Sequence, residues 1–263
     1  MKLAVIGCGN MASAIIGGLI GKGIIKGSEI TASDKLAEAR EKMSRTFGTA
    51  VTEDNRTCVK DADLVLFAVK PGVFPEIARE LKDAVRGKLL LSIMAGKSIK
   101  DLEDLLGSDQ KIVRAMPNTP ALVGAGITGY CPNSKVSAEE VEQVRIILEA
   151  FSEAEQVPES LMGVVTSLSG SSPAYVYMFI EAMADAAVAD GMPRKQAYHF
   201  ASQTVLGSAK MVLETGRHPG ELKDMVCSPA GTTIEGVTKL EEKGFRTAVI
   251  EAVRSCTRKA LNM

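Results

Sequence analysis

The sequence predicts an α/β protein in two parts. A doubly wound domain with a mostly parallel sheet spans residues 1–157, and an all-helical domain spans 158–263. Three observations predict this. The first half alternates short aliphatic runs with helical patterns, and the runs are continuously apolar, as strands covered on both faces are. A glycine-rich turn joins the first run to the first helix. The second half carries no strand pattern, only helices bounded by glycine and proline.

Taken in order, "KLAVIG" (2–7) reads as a buried strand and "MASAIIGGLIGKG" as a helix. "EITASD" (29–34) is a strand and "KLAEAREKMSRTF" a helix. "ADLVLFAVKP" (62–71) is a strand closed by proline, "VFPEIARELKDAV" a helix, and "KLLLSIMAG" (88–96) a strand. "DLEDLLG" is a short helix, "KIVRAMPNTP" (111–120) a strand, and "GITGYCP" (126–132) adds another. Residues 137–154 read as one helix, with Ser137 at the N-cap and Glu140 at the capping-box position. From Pro173 onward helix follows helix. Gly191, Gly216 and Gly244 stand at C-termini, and Pro193 and Pro219 near the next starts. The first of these helices, "PAYVYMFIEAMADAAVADG", is apolar nearly all round, which predicts burial against another subunit.

Composition narrows the function. Of 263 residues, 46% are hydrophobic and 24% charged, an ordinary globular mix. With aromatics at 4% and no Trp, aliphatic and Met side chains must fill the core. A net charge of −1 with no basic run argues against a nucleic-acid partner. The five cysteines are scattered singly, without a CxxC pair, so neither a disulfide framework nor a metal site is expected, and reduced thiols point to a cytosol. No apolar stretch reaches the ~20 residues of a membrane span, and the N-terminus lacks the ~7–15 unbroken apolar residues of a signal peptide. A cytoplasmic protein is the expectation.

"VIGCGNMA" places Gly7, Gly9 and Ala12 in the order G-x-G-x-x-A between the first strand and the first helix. Gly7 permits a tight turn, and Gly9 lets backbone N–H groups approach a pyrophosphate at the helix N-terminus. The segment Ile6, Gly7, Cys8, Gly9, Asn10 and Met11 is therefore a candidate dinucleotide loop of a Rossmann domain. Asp34, ending the second strand, suits ribose hydroxyls, which favours NAD; it equally suits the N-cap of the next helix. Ser33 and Lys35 beside it suit a 2′-phosphate, which favours NADP. We take NADP as the expected cofactor, with NAD as the alternative. The strand ends Ala68, Val69, Lys70, Pro71 and Ala95, Gly96 lie on the carboxyl edge of the sheet, where ligands bind. Asn55 either reaches the adenine or only makes a turn, and Asn118 either binds the nicotinamide carboxamide or serves a turn before Pro120. Lys70 either touches the ribose or lies near the substrate. His199 and His218 have no ligand-spaced partners and read as packing and solvation.

"CSPAGTTIEGV" (227–237) opens a helix behind a proline. The N–H groups that follow Pro229 suit a carboxylate; capping by Ser228 or Thr232 is the alternative. The block "HPGELKDMVCSPAGTTIEGVTKLE" (218–241) resembles the signature of the pyrroline-5-carboxylate reductases. "GCGNM", "AVKP", "AGKSI", "RAMPNTPALVGAG" and "LSGSSPAY" resemble that family's other blocks, in order, over essentially the whole chain. The resemblance implies reduction of 1-pyrroline-5-carboxylate to L-proline with NADPH or NADH, in a Rossmann domain followed by a helical dimerisation domain, in a homodimer or higher homo-oligomer. It implies that Ser228, Gly231 and Thr232 hold the substrate carboxylate, that Thr233 bonds the ring nitrogen and is the catalytic hydroxyl, and that Glu159 lies near the substrate. The sequence departs from the family at Met225, where some members have Asn, and at Ser172, where Gly is common. Two rival functions are a β-hydroxyacid dehydrogenase and a non-catalytic dinucleotide-binding regulator. The first needs a lysine on the first long helix of the second domain, and "SGSSPAYVYMFIEAMADAA" has none.

Overall fold

In a computed structural model of the chain, which describes residues 1–262, eight strands form one sheet. They are β1 (Leu3–Ile6), β2 (Ile30–Ser33), β3 (Ala50–Thr52), β4 (Leu64–Phe67), β5 (Leu89–Ser92), β6 (Lys111–Met116), β7 (Gly126–Pro132) and β8 (Ser152–Gln156). Their order is β3-β2-β1-β4-β5-β6-β7-β8, parallel except where β7 runs antiparallel to β6. The winding reverses between β1 and β4, so their carboxyl ends diverge and leave a crevice.

The helices of this half are α1 (Asn10–Gly21), α2 (Ala37–Phe47), α3 (Asn55–Val59), α4 (Phe74–Leu81), α5 (Ile99–Leu106), α6 (Ala138–Glu149) and α7 (Met162–Val165). They cover both faces. Leu3 and Val5 of β1 join Ile15, Ile16 and Leu19 of α1 and Val144 and Leu148 of α6 in one core. Ala4 and Ile6 of β1 point the other way, into a second core with Phe74 and Leu81 of α4 and Leu102 of α5. This two-sided burial explains why the strands read as unbroken apolar runs rather than alternating ones. Phe67 and Phe74 meet edge to face with ring centroids 5.2 Å apart, fixing α4 to the end of β4.

Three elements depart from the expected pattern. The helix expected over 137–154 ends at Glu149, and its tail becomes the edge strand β8. β8 is polar outside and held by the buried Ser152 hydroxyl, 2.7 Å from Thr128 Oγ1. β3 and α3 were not expected at all. β3 has only three residues, and α3 has five, begun by Asp54, whose carboxylate accepts from the N–H groups of Arg56 and Thr57. Both are too short for a periodicity to register.

By contacts the chain forms two compact units, residues 1–171 with 257–263, and residues 172–256. Residues 158–171 thus pack with the sheet: Met162 is fully buried in its second core, and Val165 lies against Gly129 of β7. The packing boundary falls after the 157/158 break read from the sequence. The second unit holds α8 (Ser172–Ala189), α9 (Arg194–Thr215), α10 (Pro219–Met225), α11 (Thr232–Glu242) and most of α12 (Phe245–Leu261). Within one chain α8 buries only Ala184 and leaves Tyr177 and Met178 exposed. Phe200, Leu206 and Leu213 of α9 are exposed too, as surfaces awaiting a partner are. No helix among the described residues is long and apolar enough to cross a membrane, and no group of three metal-binding side chains occurs among them.

Candidate active site

At the crevice the first unit holds a cavity of about 390 Å³. Its walls include Ile6, Gly7 and Gly9 from the first turn, Ser33, Asp34 and Lys35 from the end of β2, Asn55 from α3, and Ala68, Val69 and Lys70 from the end of β4. These ten predicted cofactor residues therefore converge. Leu36, Val73, Glu76 and Ile77 line the cavity as well and were not anticipated, because they belong to the turn before α2 and to α4 rather than to a recognisable motif.

The turn is built backbone to backbone. Gly7 has φ +104°, and its N–H donates to Ser33 O at 2.7 Å. A Cβ on Gly7 would stand 2.7 Å from Ala68 O, whereas one on Gly9 would meet nothing within 4 Å. The space over Gly9 is thus open at the N-terminus of α1, where no side chain caps the helix. An uncapped helix start behind a side-chain-free approach fits a dinucleotide pyrophosphate. Asn10 and Met11 begin α1 but do not line the cavity, and the Cys8 side chain is buried, its thiol pushed up to about 12 by that burial and by Asp34.

Asp34 does not cap α2, whose N-cap is Leu36. Its Oδ2 accepts from Cys8 N–H and its Oδ1 from Leu36 N–H, each at 2.9 Å, so the carboxylate pins the glycine turn to the end of β2. Ser33 is fully buried and donates its hydroxyl to Asn55 Oδ1 at 2.7 Å; it is not a free donor for a 2′-phosphate. Asn55 in turn donates to Glu80 at 2.9 Å from the first turn of α3, not from a simple turn.

Other predicted residues lie elsewhere. Pro71 sits in the turn leading to α4, outside the cavity wall. Gly96 lines a different cavity with Arg114 and Glu159, and Ala95 lines neither. Asn118 is 8% exposed, and both ends of its amide are engaged: Nδ2 donates to Ser169 O and Oδ1 accepts from Ile127 N–H. The amide thus ties the end of β6 to the start of β7 and to the segment around Ser169. Glu159 Oε1 accepts from Ile99 N–H at 2.7 Å and from Arg114 Nη1 at 3.1 Å, which ties this oxygen of its carboxylate to the start of α5 and to β6.

The second unit carries the other loop. Residues 228–231 form a turn in which Gly231 N–H donates to Ser228 O at 3.0 Å. Pro229 stands second and Ala230 third, with φ +54°, the position that normally selects glycine. A Cβ on Gly231 would fall 2.2 Å from Ser228 Oγ, so only glycine lets that hydroxyl lie against the helix start. Gly231 is the N-cap of α11, and no side chain caps it, neither Ser228 nor Thr232. Since Gly231 N–H serves the turn, the donors offered to a ligand begin at Thr232. Elsewhere in this unit Thr204, Thr215 and Thr238 bond the carbonyl four residues back. Thr232 and Thr233, in the first turn, have no such carbonyl, and their hydroxyls make no hydrogen bond among the described residues. His218 caps α10, its Nδ1 accepting from Gly220 N–H at 3.1 Å, a duty that its position before a Pro at a helix start would allow.

Ala230 is the one described non-glycine residue with positive φ, a conformation costing about 1–2 kcal/mol for an L residue. Replacement by glycine recovers that cost but adds about 0.4–1 kcal/mol of unfolded-chain entropy. Ala230→Gly should therefore raise the thermal midpoint modestly, by about 1–3 °C, and Ala230→Val should lower it, both measured by calorimetry.

Known proteins resemble the chain along essentially its whole length. A family profile described as pyrroline-5-carboxylate reductase dimerisation matches residues 159–263, and one described as NADP oxidoreductase coenzyme F420-dependent matches residues 2–96. A pyrroline-5-carboxylate reductase of Escherichia coli (strain K12) is 52% identical over 98% of this chain and 97% of its own. Among solved structures, a pyrroline-5-carboxylate reductase from Coxiella burnetii superposes with a TM-score of 0.92 at 34% identity, covering 98% of this chain and 97% of that one. The Plasmodium falciparum pyrroline carboxylate reductase with NADP bound gives 0.90 at 33% identity, covering 100% and 97%. With near-complete coverage at these identities, the chain belongs to the pyrroline-5-carboxylate reductase family.

Proposed function

We propose that the chain reduces the C=N bond of 1-pyrroline-5-carboxylate to give L-proline, the last step of proline biosynthesis, with NADPH as cofactor and NADH as the alternative. The observation that carries this reading is the uncapped start of α11, set behind a turn in which the Ser228 hydroxyl occupies the space that a side chain at 231 would take. That is an anion site without a protein anion to fill it. In this reading residues 1–157 carry the dinucleotide and 158–263 carry the substrate and the dimer contacts. The exposed apolar residues of α8 and α9 support assembly into a homodimer or larger homo-oligomer; the cytoplasm is the compartment this reading assigns.

Reduction of an imine needs a hydride at carbon and a proton at nitrogen. A reduced nicotinamide supplies the hydride when bound. The protein's residues supply placement and the proton. N–H groups from Thr232 onward and the Ser228 hydroxyl hold the carboxylate, which fixes the ring. Thr233, one residue further into α11, then has a hydroxyl available to hydrogen-bond the imine nitrogen and relay a proton to it, taking one back from water, with direct donation by water as the other route. Holding the reacting atoms in register contributes up to about 7–11 kcal/mol, so the absence of a strong acid is no obstacle. Purified protein should oxidise NADPH or NADH on addition of pyrroline-5-carboxylate and form proline, followed by absorbance and product analysis. No proline with either cofactor would sink the reading.

A further inference from the structure

We propose that Glu76, acting on Lys35, sets the choice between phosphorylated and unphosphorylated dinucleotide; this rests on reading the 390 Å³ cavity as the dinucleotide site. Glu76 lies in the first turn of α4 and faces the cavity opposite the end of β2. Its Oε1 is 3.4 Å from Lys35 Nζ, and the two side chains are 68% and 78% exposed.

The charges around this end of the cavity are few, and most are committed. The Asp34 carboxylate is held by two backbone N–H groups. Arg40, the other cation of the segment, has turned inward: its Nη1 donates to Asp34 O at 2.7 Å and to Lys35 O at 3.0 Å, and its side chain is only 17% exposed. Glu80 accepts from Asn55, and the Ser33 hydroxyl donates its hydrogen bond to the same Asn55. At the end of β2 what remains is one cation, Lys35, with one anion, Glu76, across from it, while Lys70 lines the cavity from the end of β4. A 2′-phosphate carries a charge of about −1.5 to −2 at neutral pH. Beside the end of β2 it is met by Lys35, and it must share that lysine with a carboxylate already beside it.

The consequence differs between the two cofactors. An exposed ion pair is weak, so Lys35 can leave Glu76 at little cost. Glu76 itself stays on α4, within a few ångströms of any phosphate that Lys35 engages, and repels it. A ribose with free hydroxyls meets no such repulsion. Glu76 thus weakens NADPH and leaves NADH nearly untouched, drawing the two affinities together.

The test is a fluorescence titration of the full-length protein with NADPH and with NADH, for the wild type, Glu76→Gln and Lys35→Gln, at low and high salt. Both side chains are exposed, so neither change disturbs the core. Glu76→Gln should tighten NADPH by roughly 3–10-fold while NADH changes less than about twofold, and the gain should shrink at high salt as the charges are screened. Lys35→Gln should weaken NADPH by a similar factor and spare NADH. If Lys35→Gln acts selectively but Glu76→Gln does not, or does so independently of salt, the role of Glu76 is overturned. If neither variant changes either affinity, the adenosine end does not lie in this cavity, and the site assignment falls with it.

Discussion

Gly7→Ala is expected to weaken NADPH at least about 100-fold and to lower the melting temperature by several degrees, whereas Gly9→Ala should weaken NADPH and leave stability unchanged. The two glycines stand two residues apart in one motif, but they serve different ends. At Gly7 the backbone has φ +104°, outside the range that L side chains adopt readily, a strain of about 1–3 kcal/mol. The added Cβ would also stand 2.7 Å from Ala68 O and 3.0 Å from Val69 Cγ1. The first of these is backbone and cannot rotate away. It is also tied down, since Ala68 N–H donates to Ile6 O and Gly7 N–H to Ser33 O. Relief would have to move the ends of β1, β2 and β4 together, and overpacking of that kind costs about 1–3 kcal/mol more. A loss of about 2.7 kcal/mol transmitted to the cofactor corresponds to the 100-fold figure.

At Gly9 the case is reversed. Its φ of −76° is ordinary, and a Cβ there meets no protein atom within 4 Å. Alanine would therefore fold as well as glycine, and through its better chain entropy slightly better. It would only stand where a pyrophosphate must approach the N-terminus of α1. Thermal unfolding and fluorescence titration of the two variants separate these effects. Equal losses of stability in both variants, or an unchanged NADPH affinity in Gly9→Ala, would contradict the assignment.

The glycine turn was legible in the sequence because its requirement is local: a strand, a tight reversal, a helix. The sheet was legible for a similar reason, since six of its strands are long enough and apolar enough to show burial on both faces. What escaped depends on contacts far apart in the chain. Nothing near Ser152 marks β8 as a strand; its hydroxyl meets Thr128, on a strand that ends twenty residues earlier in the sequence. Asp34 sits where a cap would sit, but the N–H group of Cys8 claims its carboxylate from across the sheet edge. Asn118 and Glu159 look available in a one-dimensional reading and are already engaged, by Ser169 and Ile127 in one case and by Arg114 and Ile99 in the other. Glu76 failed to register for the opposite reason. It looks like the ordinary first-turn acid of a helix, which it is. Only the fold brings it over the cavity.

The second large effect is expected at Thr233. Thr233→Ala should lower kcat by about 10²-fold, the lower end of what a positioned proton donor contributes. It should leave cofactor affinity unchanged, while Thr233→Ser keeps most of the activity. The grounds are the placement of the hydroxyl. It stands in the first turn of α11, where no preceding carbonyl of the helix is available, and no other group among the described residues accepts its proton. The neighbouring Thr232 and Ser228 are assigned to the carboxylate, so Thr232→Ala and Ser228→Ala should act chiefly by raising KM. This split is the discriminating readout. An interaction formed equally with substrate and transition state changes KM, whereas one that strengthens as the nitrogen gains its proton changes kcat. Were Thr233 merely part of the helix cap, its loss would resemble that of Thr232. Were water the proton donor, kcat of Thr233→Ala would stay within about twofold of the wild type, and Thr233 would lose its place in the chemistry. Steady-state kinetics with pyrroline-5-carboxylate at saturating NADPH, on all four variants, decides between these.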